Sequence, residues 1–142
     1  MISVVDFKSE LDQLKAEIPE INHLILVTSD THAVNKLNGK KGICFVAVIP
    51  SFDGSGRLGR VVDDASTYFF IVEKEPGGIT EEKELELMRR TQQVIEQIKN
   101  KLIGKAEDGC SLFYRLTPEA IHIDPEYKTF GGYSGWSMSL VF

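Results

Sequence analysis

Apolar residues recur at helical spacing in two stretches of the chain and at strand spacing over much of the rest. Across residues 3–18, Val4, Phe7, Leu11, Leu14 and Ile18 make one stripe at the i, i+3, i+4 steps of an amphipathic helix. Ser3, with Asp6 three residues later, predicts a capping arrangement at its start, and Pro19 predicts its stop. Across residues 80–103, Leu87, Thr91, Val94, Ile98 and Leu102 share a face that Leu85, Met88 and Ile95 widen. Thr80 is placed to cap this longer helix, with acids Glu81, Glu82, Glu84 and Glu86 near its start. Lys99 and Lys101 lie near its end, where Gly104 suits the position just past the last turn.

Shorter apolar runs predict strands. Residues 21–28 (INHLILVT) form one, and residues 42–49 (GICFVAVI) form another whose two faces are both apolar, as in a central strand covered on both sides. Residues 28–41 read as a polar connection with an Asn38-Gly39 turn, and Pro50 ends the second run. Residues 51–64 read as a glycine-rich, charged loop, residues 66–74 as a strand, and residues 75–78 as a turn. Residues 110–116 and 120–124 read as two short strands. From Gly135 the chain alternates strictly, with Trp136, Met138, Leu140 and Phe142 on one side and Ser137, Ser139 and Val141 on the other. A strand this apolar at a terminus has to be tied into a sheet. The order α-β-β-β-α-β-β-β predicts a single α+β domain. Its sheet is mostly antiparallel, with about five to six strands, and two main helices pack on one face.

Composition narrows the function classes. A chain of 142 residues with 42% hydrophobic and 26% charged residues can build its own core without a disulfide or metal staple. The net charge is −5, and the basic residues are dispersed as Lys40-Lys41, Arg89-Arg90 and the Lys99, Lys101, Lys105 set, which argues against nucleic acid as a partner. The apolar runs are too short to cross a bilayer, so no membrane partner is expected. Cys44 and Cys110 read as small buried hydrophobes, and residues 1–15 lack the basic and apolar regions of a signal peptide. Together these predict a reduced, cytoplasmic setting.

No motif assembles a reaction centre, and no cofactor or metal is expected. Gly54, Gly56 and Gly59 match GxGxxG, but a strand follows them where a dinucleotide site needs a helix. The same stretch carries Asp53, Arg57, Arg60, Asp63 and Asp64, and its mixed charge predicts a partner-contacting arm. Asp63-Asp64 read as an exposed turn rather than a cation site. The sequence around Ser134 approaches a nucleophile elbow, but its second glycine comes one residue early and a strand follows. His23, His32 and His122 are scattered, and only His122 has an acid, Asp124, placed on the same face of a strand.

Three pieces, TYFFIVEK, LELMRRTQQVIEQIKNKL and PEYKTFGGYSGWSMSLVF, together resemble small prophage-encoded virion or tail-assembly proteins of Bacteroidetes-type bacteria. The resemblance covers residues 67–142 and brings no catalytic residue with it. It implies a non-enzymatic structural or interaction protein, an oligomeric tail-like or neck-like assembly subunit, found in the cytoplasm or the virion. Its partners would be further copies of itself or other assembly proteins. Within that reading Tyr133, Trp136 and Phe142 are candidates for core or interface aromatics. The alternative is a small-ligand-binding or regulatory module, with a pocket between the long helix and the sheet near Tyr68, Phe70, Tyr114 and Trp136.

Overall fold

Ser3 starts the first helix by accepting hydrogen bonds at its hydroxyl from the backbone N–H groups of Val5 and Asp6. In this computed structural model, which describes the whole chain from residue 1 to 142, that helix is α1 (Val4–Glu17), and Phe7, Leu11 and Leu14 of its predicted stripe are fully buried. The long helix α3 (Glu81–Asp108) begins at Thr80, whose hydroxyl accepts from Lys83 N–H. It runs past the predicted stop: Gly104 is an ordinary interior position, and Gly109, in the left-handed region at φ 70°, ends the helix instead.

A third helix, α2 (Asp30–Leu37), occupies part of the stretch expected to be an irregular connection. Ser29 caps it by accepting from His32 N–H, and Ala33 and Leu37 supply its buried side. The helix is required by the sheet. β1 (His23–Val27) and β2 (Cys44–Val48) pair in parallel, and parallel neighbours need a crossover. All the other pairings are antiparallel. They join β3 (Ser51–Arg57), β4 (Arg60–Lys74), β5 (Ile121–Lys128) and β6 (Tyr133–Val141) into a six-stranded sheet of order β1-β2-β4-β6-β5, with β3 on β4. The α+β, mostly antiparallel architecture is therefore the one the patterning predicts.

The sheet has two unlike faces. Phe45, Ala47, Phe69, Ile71, Met138 and Leu140 point to the side that α1 and α3 cover, and form the main core with Phe7, Ile95 and Ile98. Cys44, Val46, Val72 and Tyr133 point to the other side, where α2 covers only the β1–β2–β4 region. Two main helices thus lie on one face, as expected, and α2 lies on the other. β6 comes so close to β4 that a Cβ on Gly135, at φ 156°, would stand 2.0 Å from the Ile71 carbonyl oxygen.

Residues 51–64 are not a loop. β2 and β3 form one broken strand along β4, and Pro50 interrupts it without ending it. Pairing partners before the break, such as Ala47 and Phe69, have numbers adding to 116, and those after it, such as Ser51 and Ser66, add to 117. One extra residue is therefore accommodated between Val48 and Ser51 as a bulge. There the Thr67 hydroxyl donates to the Val48 carbonyl, and Ile49 N–H donates to the Val27 carbonyl (2.8 Å). Residues 110–116 form turns instead of the predicted strand, closed by Tyr114 N–H to the Ser111 carbonyl and Leu116 N–H to the Phe113 carbonyl, and Phe113 and Leu116 enter the main core from these turns.

Candidate functional site

β6 pairs with β4 as far as Ser66, and Phe142 and Ala65 exchange backbone hydrogen bonds where that pairing ends. Beyond Val48, β2–β3 likewise loses its β1 neighbour. What remains is a two-stranded ribbon from Ser51 to Ala65, turning at Leu58-Gly59, that projects from the sheet. The GxGxxG glycines sit in this ribbon, so the motif is strand, turn and strand, with no helix for a pyrophosphate. Leu58 is fully exposed at the tip, and Val61 and Val62 are exposed on the second strand.

The five charged residues expected to mark a partner-contacting arm all lie on this ribbon. Strand alternation puts Asp53, Ser55 and Arg57 on one face, directly opposite Asp64, Val62 and Arg60. Acid thus faces acid at the base and arginine faces arginine near the tip. The base is tied to the body at two points. The Met1 amino group contacts Asp63 Oδ2 at 3.0 Å, and Arg115 Nη2 donates to Asp64 Oδ1 at 2.6 Å while Nη1 donates to the Asp63 carbonyl. Asp53, Arg57 and Arg60 make no ion pair.

The three aromatic candidates do packing work in the body. Phe142 is buried with its ring 4.8 Å from that of Phe113. Trp136 is partly buried under α3, where its indole N–H donates to the Met88 carbonyl at 2.9 Å. Tyr133 points to the opposite side. Its hydroxyl reaches the Leu37 and Lys40 carbonyls at 2.7 and 2.9 Å, so it holds the end of α2, and burial pushes its pKa up.

The residues proposed to line a pocket under the long helix do not converge there. Trp136 fills that space with the main core, and Tyr114 is exposed on a turn. Tyr68 and Phe70 line a hollow of about 320 Å³ on the other face, with Val27, Val48 and Phe130. Phe130 lies at φ 52°, a left-handed conformation unusual for a bulky residue, and its ring meets Phe70 edge-on at 4.9 Å. A second hollow of about 350 Å³ opens where α3 begins, bordered by Glu73, Thr80, Leu87 and Arg90. Arg90 there donates to Glu73 at 2.8 Å.

Titratable groups elsewhere are dispersed. His122 Nε2 lies 3.2 Å from Asp124 Oδ2 on β5, where both side chains are well exposed, while Asp63 and Asp64 keep their separate partners at the arm. No group of three or more His, Cys, Asp or Glu side chains is placed to hold a metal ion. Burial pushes the Cys44 thiol up to about 11, and Cys110 is exposed, so only Cys44 is the small buried hydrophobe expected. Glu75 is buried beneath the start of β6 and accepts from the Ser134 hydroxyl at 2.6 Å. Its hydrogen bond with Glu84, a carboxyl pair that sequence spacing does not announce, holds the Glu84 carboxyl above the usual range. No helix is long and apolar enough to cross a membrane. No model of a known family, no curated protein and no solved structure matches this chain.

Proposed function

We propose that this protein is a structural, self-associating subunit of a larger assembly, of the phage tail or neck type that the C-terminal half resembles. The observation that supports this reading is the Ser51–Ala65 ribbon. A two-stranded ribbon is marginal in water, and this one has exposed edges, an exposed leucine tip and charged side chains without partners. Such an arm gains by adding itself to another surface. The outer edges of β1 and β5 offer further strand edges to neighbours, and the Pro125 within β5 is of the kind that edge strands tolerate. Light scattering over a wide concentration range tests the reading. A mass that rises above the 15.9 kDa of one chain supports it, and a constant single-chain mass removes it.

The hollow beside Phe130 favours a second reading, a small-ligand-binding module. It is apolar, open, of a size that suits a small molecule, and bordered by a residue in a strained conformation. A thermal-shift screen of apolar and aromatic metabolites reads it directly, since a ligand at a hundred times its Kd adds about 2.7 kcal/mol. A screen without shifts, or shifts that survive Phe130→Ala, would discard it.

A further inference from the structure

We propose that the outer edge of β3 pairs, antiparallel and centred on Ser55, with the same edge of a second copy of this chain. Asp53 of each copy then stands opposite Arg57 of the other. The inference rests on the self-association reading above and names the surface and the partner.

Four observations lead to it. The first is the charge order of the ribbon. Like charges directly opposite one another destabilise a strand pair, yet the ribbon has two such pairs, Asp53 with Asp64 and Arg57 with Arg60. Nothing within the chain repairs three of these four charges: Arg115 matches Asp64, while Asp53, Arg57 and Arg60 have no ion-pair partner. A neighbour carrying the same order in reverse supplies partners for Asp53 and Arg57.

The second is the availability of the edge. β1 stops at Val27, opposite Val48, so β3 has β4 on one side and no strand on the other. The opposite edge of the ribbon is less open, because Arg115 donates to the Asp63 carbonyl at 3.2 Å and Phe142 closes on Ala65 at its base. An open strand edge is a template for pairing with another chain.

The third is register. In an antiparallel pair of identical strands the numbers of facing residues add to a constant. Centring on Ser55 sets Asp53 against Arg57 and Arg57 against Asp53, with all four side chains on one face. Slipping by one residue sets Asp53 against Gly56 or Leu58 and discards both ion pairs. Asp53 and Arg57 are four residues apart, about 13 Å along a strand, so a single two-fold operation satisfies both ends at once.

The fourth is size. Seven residues of strand edge bury less than the roughly 800 Å² per partner of a standard stable interface. The contact is therefore reversible and sensitive to salt, one joint of an assembly rather than an obligate dimer.

Cysteine cross-linking tests the geometry. With Cys110→Ser in place, the remaining thiol at Cys44 is buried. At the two-fold centre, Ser55→Cys faces its own copy at about 4.5–5.5 Å between Cα atoms, within disulfide range. Mild oxidation should give a covalent dimer on a non-reducing gel. Val62→Cys lies on the same face but one strand further in, about 14 Å from its counterpart across three strand spacings, and should stay monomeric. Charge reversal tests the register. Asp53→Arg and Arg57→Asp should each weaken self-association by about tenfold, measured by sedimentation equilibrium, and an equal mixture of the two should restore it. If the unmodified protein associates but Val62→Cys cross-links in preference to Ser55→Cys, or neither cross-links, this pairing is wrong and self-association stands. If mixing fails to restore association, the charge register is wrong. A single-chain mass at every concentration removes both this pairing and the function it rests on.

Discussion

The two halves of β4 have the same backbone conformation and opposite circumstances. From Ser66 to Lys74 it pairs with β6, and from Phe69 to Val72 with β2 as well, with Phe69 and Ile71 fully buried under α1 and α3. From Arg60 to Asp64 it has one strand neighbour, no helix on either side, and mostly exposed side chains. The inner half has ladder partners on both edges and the outer half on one, but a net backbone hydrogen bond contributes only about 1 kcal/mol. The larger difference is apolar area removed from water, at about 25 cal/mol per Å². The outer half remains in place through Phe52 at its root and two surface ion pairs, which together contribute little.

Truncation gives the widest contrast. Phe69→Ala should lower unfolding free energy by about 3–5 kcal/mol in a denaturant titration, and Val61→Ala, eight residues earlier in the same strand, by under about 0.5 kcal/mol. Similar losses at the two sites would mean the arm is part of the core and end the comparison. Next comes Trp136→Ala, at about 3 kcal/mol, because it empties space under α3 and leaves the Met88 carbonyl without its indole donor. A loss under about 1 kcal/mol would move Trp136 from packing to an exposed role.

The anchors are smaller. Arg115→Ala should cost under about 1 kcal/mol globally, since both partners are part-exposed, while hydrogen exchange in residues 52–64 accelerates and that of residues 68–72 does not. Exchange that rises equally in both segments would show the two halves of β4 to be one cooperative unit. The smallest effect is pH-dependent and belongs to the inner end of the strand, where Glu75 follows β4. The raised Glu84 carboxyl binds its proton more tightly folded than unfolded. Its contribution is therefore present in acid, below the ordinary carboxylate range, and is lost as pH rises through the folded value. Glu84→Gln should then raise the melting temperature at neutral pH and leave it nearly unchanged near pH 4. A gain of equal size at both would assign the effect to something other than that proton.

Where a segment's partners are close in sequence, its structure was legible from pattern alone. The α1 stripe, the Thr80 cap of α3 and the Trp136–Phe142 alternation each carry their own signal and stand as read, whereas the α3 stop moves from Gly104 to Gly109. α2 was missed because Ala33 and Leu37 are only two apolar steps. Its capping residue, Ser29, was the signal present but unused. The ribbon reads as a loop in the sequence because glycines and charges describe an exposed segment equally well whether or not it is paired. Its pairing depends on β4 continuing past the sheet, which no local pattern records. Residues 110–116 failed in the opposite way, as apolar residues that pack through turns. The five charged residues singled out in the sequence all lie on the arm. That they order themselves as acid against acid and arginine against arginine became visible only once strand pairing set their register.

The extra residue between Val48 and Ser51 acts as a parity switch. Before it, odd-numbered residues such as Phe45 and Ala47 look toward the long helices, and after it the even-numbered Phe52 does. Were the bulge ironed out with every residue kept, facing numbers would go on adding to 116, and Phe52 would stand opposite Asp64 and turn to water. Asp53, Ser55 and Arg57 would turn to the reverse side, so that single step in register decides which chemistry the projection shows the world.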